Sequence, residues 1–399
     1  MGVTVAPAAA TPLATAVPTA THDTTMWIAA TLDAYIPNVF AAEYATDGTL
    51  YIGGDFTHIG PPTGGHGVID MDGTLQGAYP YVDGSVYASG PDDNGGFYIG
   101  GSFTSVGGVP RENLARIRAD GTLDPTWNPG ANGPVFTLAT DMSYVYAGGS
   151  FTSAGGRSYS RLTRIDRNTG LTPIGFSPTP NGAISTILVS GDYLYVGGTF
   201  TTIGGQTRGR AAKIWRTTAS LGQATAWNPD ANSEVTALAS DGTSLFVGGN
   251  FTTIAGATRE RLAKFSLADG SLVAGWDPVA NATVRTIAIN KDSTEGSVNR
   301  VLVGGDFTEI DSVSTGCAAV LGYTTGTLTG PLTFGSPSNT VRTIVVGEDD
   351  YIYMGGVFTS VYSQIDRRRL VRFNNDASLS PDGAWNPVPL GTDVKCVAI

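Results

Sequence analysis

"LYVGGTFTTIGGQTR", Leu194 to Arg208, joins a run of aliphatic and aromatic residues to two glycine pairs and a Phe-Thr. The stretch returns along the chain as Gly53-Gly54-Asp55-Phe56-Thr57, Gly100-Gly101-Ser102-Phe103-Thr104, Gly148-Gly149-Ser150-Phe151-Thr152, Gly197-Gly198-Thr199-Phe200-Thr201, Gly248-Gly249-Asn250-Phe251-Thr252, Gly304-Gly305-Asp306-Phe307-Thr308 and Gly355-Gly356-Val357-Phe358-Thr359. Successive first glycines lie 47, 48, 49, 51, 56 and 51 residues apart. A period of about 50 residues marks a solenoid, a propeller or an array, so the repeat has to be understood before any motif inside it.

Each unit keeps one internal order. In the third it runs Trp127-Asn128-Pro129, the apolar segment "VFTLAT", a turn, "YVYAGGSFT", a loop with "AGG", then "RLTRI" and the turn "RNTG". The apolar pieces are short, rich in Val, Ile, Tyr, Phe and Thr, and bounded by Gly, Asn, Asp and Pro, which is the chemistry of strands and turns. No stretch holds a 3.6-residue apolar period, so almost no helix is expected. Three clear strands and a weaker fourth near Trp-Asn-Pro make a four-stranded antiparallel unit. Such a unit cannot bury both faces by itself, and radial stacking lets each sheet cover the next. The expected fold is all-β, a single β-propeller over residues 26–399 with seven blades of four antiparallel strands.

The pattern GGxFT, a GG loop, an Arg and "LARI", closing on "DGTLDPTWNP", resembles the delta-60 type of bacterial β-propeller repeat over roughly residues 35 to 399. The resemblance implies a propeller. It also implies a setting, because such repeats occur in bacterial surface and secreted proteins and in bacteriophage tail proteins, without a shared catalytic motif.

Ring closure has two readings. The Trp-Asn-Pro position holds Trp127, Trp227, Trp276 and Trp385, with Tyr79, Phe176, Phe334 and a degenerate Tyr35-Ile36-Pro37 elsewhere. The last copy leads into "DVKCVAI", the start of an eighth unit, and "MWIAATLD" (26–33) resembles a strand that would precede such a segment. Seven blades is the preferred count; eight, with a composite blade from both termini, is the alternative.

The glycine pairs need no ligand, since Gly in a strand marks a bulge, a bend or close backbone approach. "GGSFTSAGG" has neither the Lys-Ser/Thr ending of a Walker loop nor a helix after it. The repeated phenylalanines are expected between blades. Arg111, Arg208, Arg259 and Arg367 recur at one position, with Tyr159 in the third unit. They are read as structural, pairing with carbonyls or with Asp55 and Asp306, against a ring of cations for acidic sugars. The four repeated Trp are read as packing rather than as a sugar platform.

With 399 residues, 41% apolar, 54 Gly and 14% charged, the chain can bury a large core. A net charge of -11 opposes phosphate backbones, so nucleic acid is not an expected partner. No run approaches eighteen apolar residues, so no membrane span is expected. Cys317 and Cys396 lie in different repeats and are read as isolated buried thiols unless the ring brings them together. His58 and His66 flank the first GG loop without a Cys or carboxylate at ligand spacing, and His22 stands alone, so no metal is expected. No cofactor and no catalytic residue is indicated, and no G-x-S-x-G elbow is present. The acidic turns "PDDNGG" (91–96), "NKDSTEG" (290–296) and "GEDDY" (347–351) read as Asx turns rather than calcium loops.

Residues 1–25, "MGVTVAPAAATPLATAVPTATHDTT", form an Ala/Thr/Pro-rich arm without Lys or Arg, which lacks the positive region of a signal peptide. The arm is expected to be extended and to gain order only when docked on another subunit. Function is expected where the copies disagree: 58–67, 290–300 and 360–369. The reading is a non-enzymatic interaction module of a bacteriophage virion, a minor tail or tail-tip protein in an oligomeric assembly. In this reading the arm contacts other virion proteins, and the propeller displays loops that bind partners or cell-surface polysaccharide. The alternative is an extracellular or cell-surface carbohydrate-binding protein of a bacterium, with a propeller glycosidase or lyase behind it.

Overall fold

The computed structural model describes residues 38–44, 50–54, 66–69, 79–217, 220–290, 299–329, 334–347, 351–361, 365–366, 369–375, 379–383, 385 and 393–394. Among them lie seven antiparallel sheets, each built as a first, a middle and a third strand with the middle strand paired to both others. They comprise Asn38–Tyr44, Leu50–Gly54 and His66–Ile69; Val82–Pro91, Phe97–Val106 and Leu114–Ile117; Val135–Thr140, Tyr144–Gly149 and Leu162–Asp166; Ile184–Ser190, Tyr193–Gly198 and Ala211–Trp215; Val235–Ser240, Ser244–Gly249 and Leu262–Ser266; Val284–Asn290, Arg300–Gly305 and Ala318–Gly322; and Val341–Val346, Tyr351–Gly356 and Leu370–Asn374. The described residues contain no helix. The first strands of successive sheets contact one another in series, so they line a common axis, and the chain is a β-propeller.

The core is sliced between sheets. One cluster joins Tyr146 and Leu162 of the third sheet to Ile184, Leu194 and Phe200 of the fourth. The next joins Tyr195 and Ala211 of the fourth to Val235, Leu245 and Phe251 of the fifth. The phenylalanines of the GGxFT segments, Phe103, Phe151, Phe200, Phe251, Phe307 and Phe358, are all buried.

Two details differ from the sequence reading. The fourth strand shrinks to isolated bridges such as Ile117↔Leu123, Ile214↔Ala224, Phe265↔Leu272 and Leu321↔Leu328. These segments turn at once into Pro- and Asp-bearing stretches such as Asp124-Pro125, and proline has no N–H for a ladder. The GG loop, in turn, is a hairpin of its own in several sheets: Thr202–Ile203 pairs with Gln206–Thr207 and Thr253–Ile254 with Ala257–Thr258. Its two central residues have positive φ, 59° and 76° at Gly204 and Gly205. Positive φ at both positions is the signature of a type I′ turn, whose twist suits a two-residue hairpin.

Near the C-terminus, Asp393–Val394 pairs in parallel with Asn38–Val39 and also contacts the first strand of the seventh sheet. A strand from the end of the chain therefore bridges the last sheet to the first. The arm 1–25, "MWIAATLD", His22, His58, Asp55, Phe56, Arg367, Cys396, most of the segments 58–67 and 290–300 and half of 360–369 lie outside the described residues.

Candidate functional site

The repeated residues are consumed by the scaffold. A Cβ on the first glycine of the second to sixth pairs would meet the first strand of the next sheet: 2.7 Å from Val135 Cγ1 at Gly100, 2.6 Å from Ile184 Cγ2 at Gly148, 2.6 Å from Val235 Cγ1 at Gly197 and 2.5 Å from Val341 Cγ1 at Gly304. A Cβ on the second would strike a carbonyl of its own sheet, 2.1 Å from Pro134 O at Gly149 and 2.1 Å from Ala183 O at Gly198. That carbonyl precedes the buried residue at which the strand bulges, as between Val135 and Thr137 or Ile184 and Thr186. One glycine thus admits the neighbouring sheet and the other admits the bulge.

Arg111, Arg208 and Arg259 donate to carbonyls, including Asp124 O at 2.9 Å and Ala274 O at 2.9 Å for Arg111 and Arg259. Asp306 is not their partner, since Arg285 holds it. Three Trp indoles also donate to carbonyls: Trp127 to Asp166, Trp276 to Gly322 and Trp227 to Gly270. Cys317 is a buried free thiol, pushed up to about 11 by desolvation and by the nearby Asp306 charge.

Two further sets of scaffold residues escaped the sequence reading. Asn132, Asn181, Asn232 and Asn281 each accept from two successive backbone N–H groups of the following GGxFT turn, as Asn232 does from Thr252 and Thr253, and donate to its Thr hydroxyl. Arg161, Arg210, Arg261 and Arg369 sit at φ of 67°, 58°, 71° and 69°, a region that costs a side chain about 1–2 kcal/mol. Arg161, Arg210 and Arg261 give something back across the sheet boundary, donating to Pro180 O, Ala231 O and Ala280 O.

Against this constant frame, one row varies. In the second to seventh sheets the residue after the buried anchor of the first strand lies in the bulge, on the strand that lines the axis, and is at least partly exposed. From the second sheet to the seventh it is Tyr87, Phe136, Ser185, Thr236, Arg285 and Arg342. In the first sheet the bulge falls between Val39 and Ala41, which leaves Phe40 at that position. The row thus passes from aromatic through hydroxyl to cationic. The Tyr87 and Phe136 rings lie 5.9 Å apart, and Phe136 keeps 37% of its surface exposed. Ser185 donates to Glu234 at 2.7 Å, and Thr236 to the Val284 carbonyl. Arg285 forms a bidentate pair with Asp306, which also accepts from Thr340 at 2.9 Å. Burial pushes the Asp306 carboxyl up, but Arg285, Thr340 and the charge of Arg342 outweigh it and hold it below the ordinary range. The arrangement offers a partner aromatic side chains on one side and guanidinium groups on the other, that of Arg285 held by Asp306. No cluster of three His, Cys, Asp or Glu suited to a metal occurs among the described residues.

Comparison with known proteins agrees on the fold. A family model described as a domain of unknown function (DUF5122) β-propeller matches residues 97–126 and 240–277, segments of the second and of the fifth repeat. Among solved structures, the computationally designed Ika8 protein superimposes with a TM-score of 0.55 at 13% identity, covering 93% of this chain and 92% of that one. The WD40 β-propeller domain of Doa1 gives a TM-score of 0.52 at 12% identity, covering 83% and 94%. No curated protein matches the chain.

Proposed function

We propose that this protein is a non-enzymatic interaction module, and that it serves in a bacteriophage virion as a minor tail or tail-tip component. The observation that carries the interaction reading is the axis row. Its residues change from aromatic through hydroxyl to cationic along the chain, while the contacts around them recur in several of the described repeats. A propeller is a rigid carrier for such a row, and what it recognises follows from the side chains it presents rather than from the fold. The virion setting rests on the resemblance of the repeats to those of phage tail proteins and on an arm suited to docking. In this setting the arm engages other virion proteins, and the row with its flanking loops meets a partner or a host-surface polymer.

The test is retention on immobilised bacterial surface polysaccharides, comparing the parent with Tyr87→Ala/Phe136→Ala and with Arg342→Ala. Retention that falls at least tenfold in these variants, with unchanged urea midpoints, supports the axis row as the binding element. Retention that the substitutions leave intact removes it from that role.

A further inference from the structure

The third strands carry a second ring of cations, and one member is out of keeping with the rest. Arg116, Arg164, Lys213, Lys264 and Arg372 occupy the same register, opposite Tyr98, Tyr146, Tyr195, Phe246 and Tyr353 on the middle strands, with Val320 at this position in the sixth sheet. Each of the other four has an oxygen partner: Arg116 pairs with Asp92 at 2.7 Å, Arg164 donates to Arg216 O, Lys264 to Tyr323 O at 2.8 Å, and Arg372 pairs with Asp382. Lys213 has none among the described residues. Its ammonium lies 3.8 Å from the Tyr193 ring centroid and 5.4 Å from that of Tyr195, and burial lowers its pKa.

The cause sits in the next repeat. Lys264 is capped by Tyr323, whose ring lies 3.9 Å from the ammonium and whose carbonyl accepts from it. The residue of the fifth sheet that matches Tyr323 is Leu267, in the turn Ser266 to Gly270, where Gly270 N donates to Ser266 O as Gly326 N does to Gly322 O. Leu267 adds no polar side chain, and an open crevice of about 510 Å³ remains between the fourth and fifth sheets. Lys213, Tyr195, Trp227, Asn228, Phe265 and Asp269 are among its walls. Trp227 departs from its counterparts in the same place. Trp127, Phe176, Trp276, Phe334 and Trp385 are buried completely or within a percent of it, whereas Trp227 stays partly exposed. Its indole donates to Gly270 O rather than to the matching Ser266 and is held edge-to-face by Tyr195 and Phe265, with centroids 5.6 and 5.5 Å away.

We infer that this crevice is a binding site for a hexuronate unit of an acidic polysaccharide. A carboxylate supplies the anion that Lys213 lacks. The apolar face of a pyranose ring suits the part of the Trp227 indole that stays exposed, and its hydroxyls find an amide at Asn228 and an acceptor at Asp269. The Asp269 carboxylate on the same wall opposes a phosphate-dense ligand, and the volume is that of an ordinary small-ligand pocket. The site stands apart from the axis row and does not depend on it.

Titration calorimetry of the full chain with a galacturonate trisaccharide tests the inference, with the fully methyl-esterified trisaccharide and triglutamate as competing probes. Lys213→Val and Trp227→Phe are the variants, because the fold already accepts Val320 and Phe176 or Phe334 at those positions. Lys264→Val is the control, since that ammonium is already partnered. The expected result is binding of the free acid alone, weakened at least tenfold by Lys213→Val and by Trp227→Phe and unchanged by Lys264→Val. Tyr87→Ala/Phe136→Ala leaves it intact, which separates this site from the axis row. No heat with the free acid, equal binding of the ester, preference for triglutamate, or indifference to Lys213→Val each overturns it.

Discussion

Replacing Gly248 with alanine puts a methyl group 2.8 Å from Val284 Cγ1 and 3.0 Å from Ile287 Cδ1, both on the neighbouring sheet. Carbon atoms pack at about 3.5–4.0 Å, so the new Cβ intrudes by nearly an ångström into a full core. Overpacking of this kind costs about 2 kcal/mol. Val284→Ala by itself removes two buried methyl groups and leaves a void, a loss of about 2–3 kcal/mol. In the double variant the added methyl enters the space that Val284 vacates. The pair is then destabilised by about 2–3 kcal/mol rather than by the sum, a coupling of about 2 kcal/mol. Gly249→Ala is the internal control. Its Cβ meets the Glu234 carbonyl at 2.2 Å, within its own sheet, and truncating Val284 does not relieve it. Urea unfolding followed by tryptophan fluorescence gives the midpoints from which the cycle is computed. If Gly248→Ala and Val284→Ala add within 0.5 kcal/mol, the glycine is not there to admit the next sheet, and the account of inter-sheet packing fails.

Three more outcomes follow from local geometry. Ala255 is exposed at φ 53° in the first central position of its hairpin, so Ala255→Gly should raise stability by about 1 kcal/mol; a lowered urea midpoint would contradict the strain argument. Burial pushes the Asp124 carboxyl up, but hydrogen bonds from the Thr126 amide and hydroxyl, the Trp127 amide and Arg118 overcome this and hold it at about 2. Its stabilising contribution is therefore complete above pH 4 and disappears as pH falls through 2, so the deficit of Asp124→Asn should shrink between pH 5 and pH 2, and a constant deficit refutes the assignment. In a Cys396→Ser background, Cys317 should react with a thiol reagent at pH 8 only on unfolding; rapid labelling of the native protein would show that this thiol is exposed.

The propeller was legible because its signals repeat: the glycine pairs, the Phe-Thr and the short β-rich runs recur at a nearly constant period. The hairpin in the GG loop was not. Its two-residue strands, Thr202–Ile203 and Gln206–Thr207, are too short to show alternation, and only the backbone reveals positive φ at Gly204 and Gly205. Asn132 and its counterparts were in plain view, but an asparagine after a Pro-rich turn reads as loop polarity until its two N–H donors are seen. The axis row escaped for the opposite reason. Tyr87, Phe136, Ser185, Thr236, Arg285 and Arg342 share a place in space and no common letter in the sequence beyond the last two, and a search for repetition passes over them. Lys213 looks like its neighbours in "AAKIW", and its having no oxygen partner among the described residues depends on Leu267 in the next repeat.

That the chain is a building block of an assembly is tested most directly by its light-scattering mass, measured for the full chain and for a version lacking residues 1–25. The expected result is a multimer for the full chain and a folded monomer for the truncation. Monomers in both cases would contradict assembly through the arm.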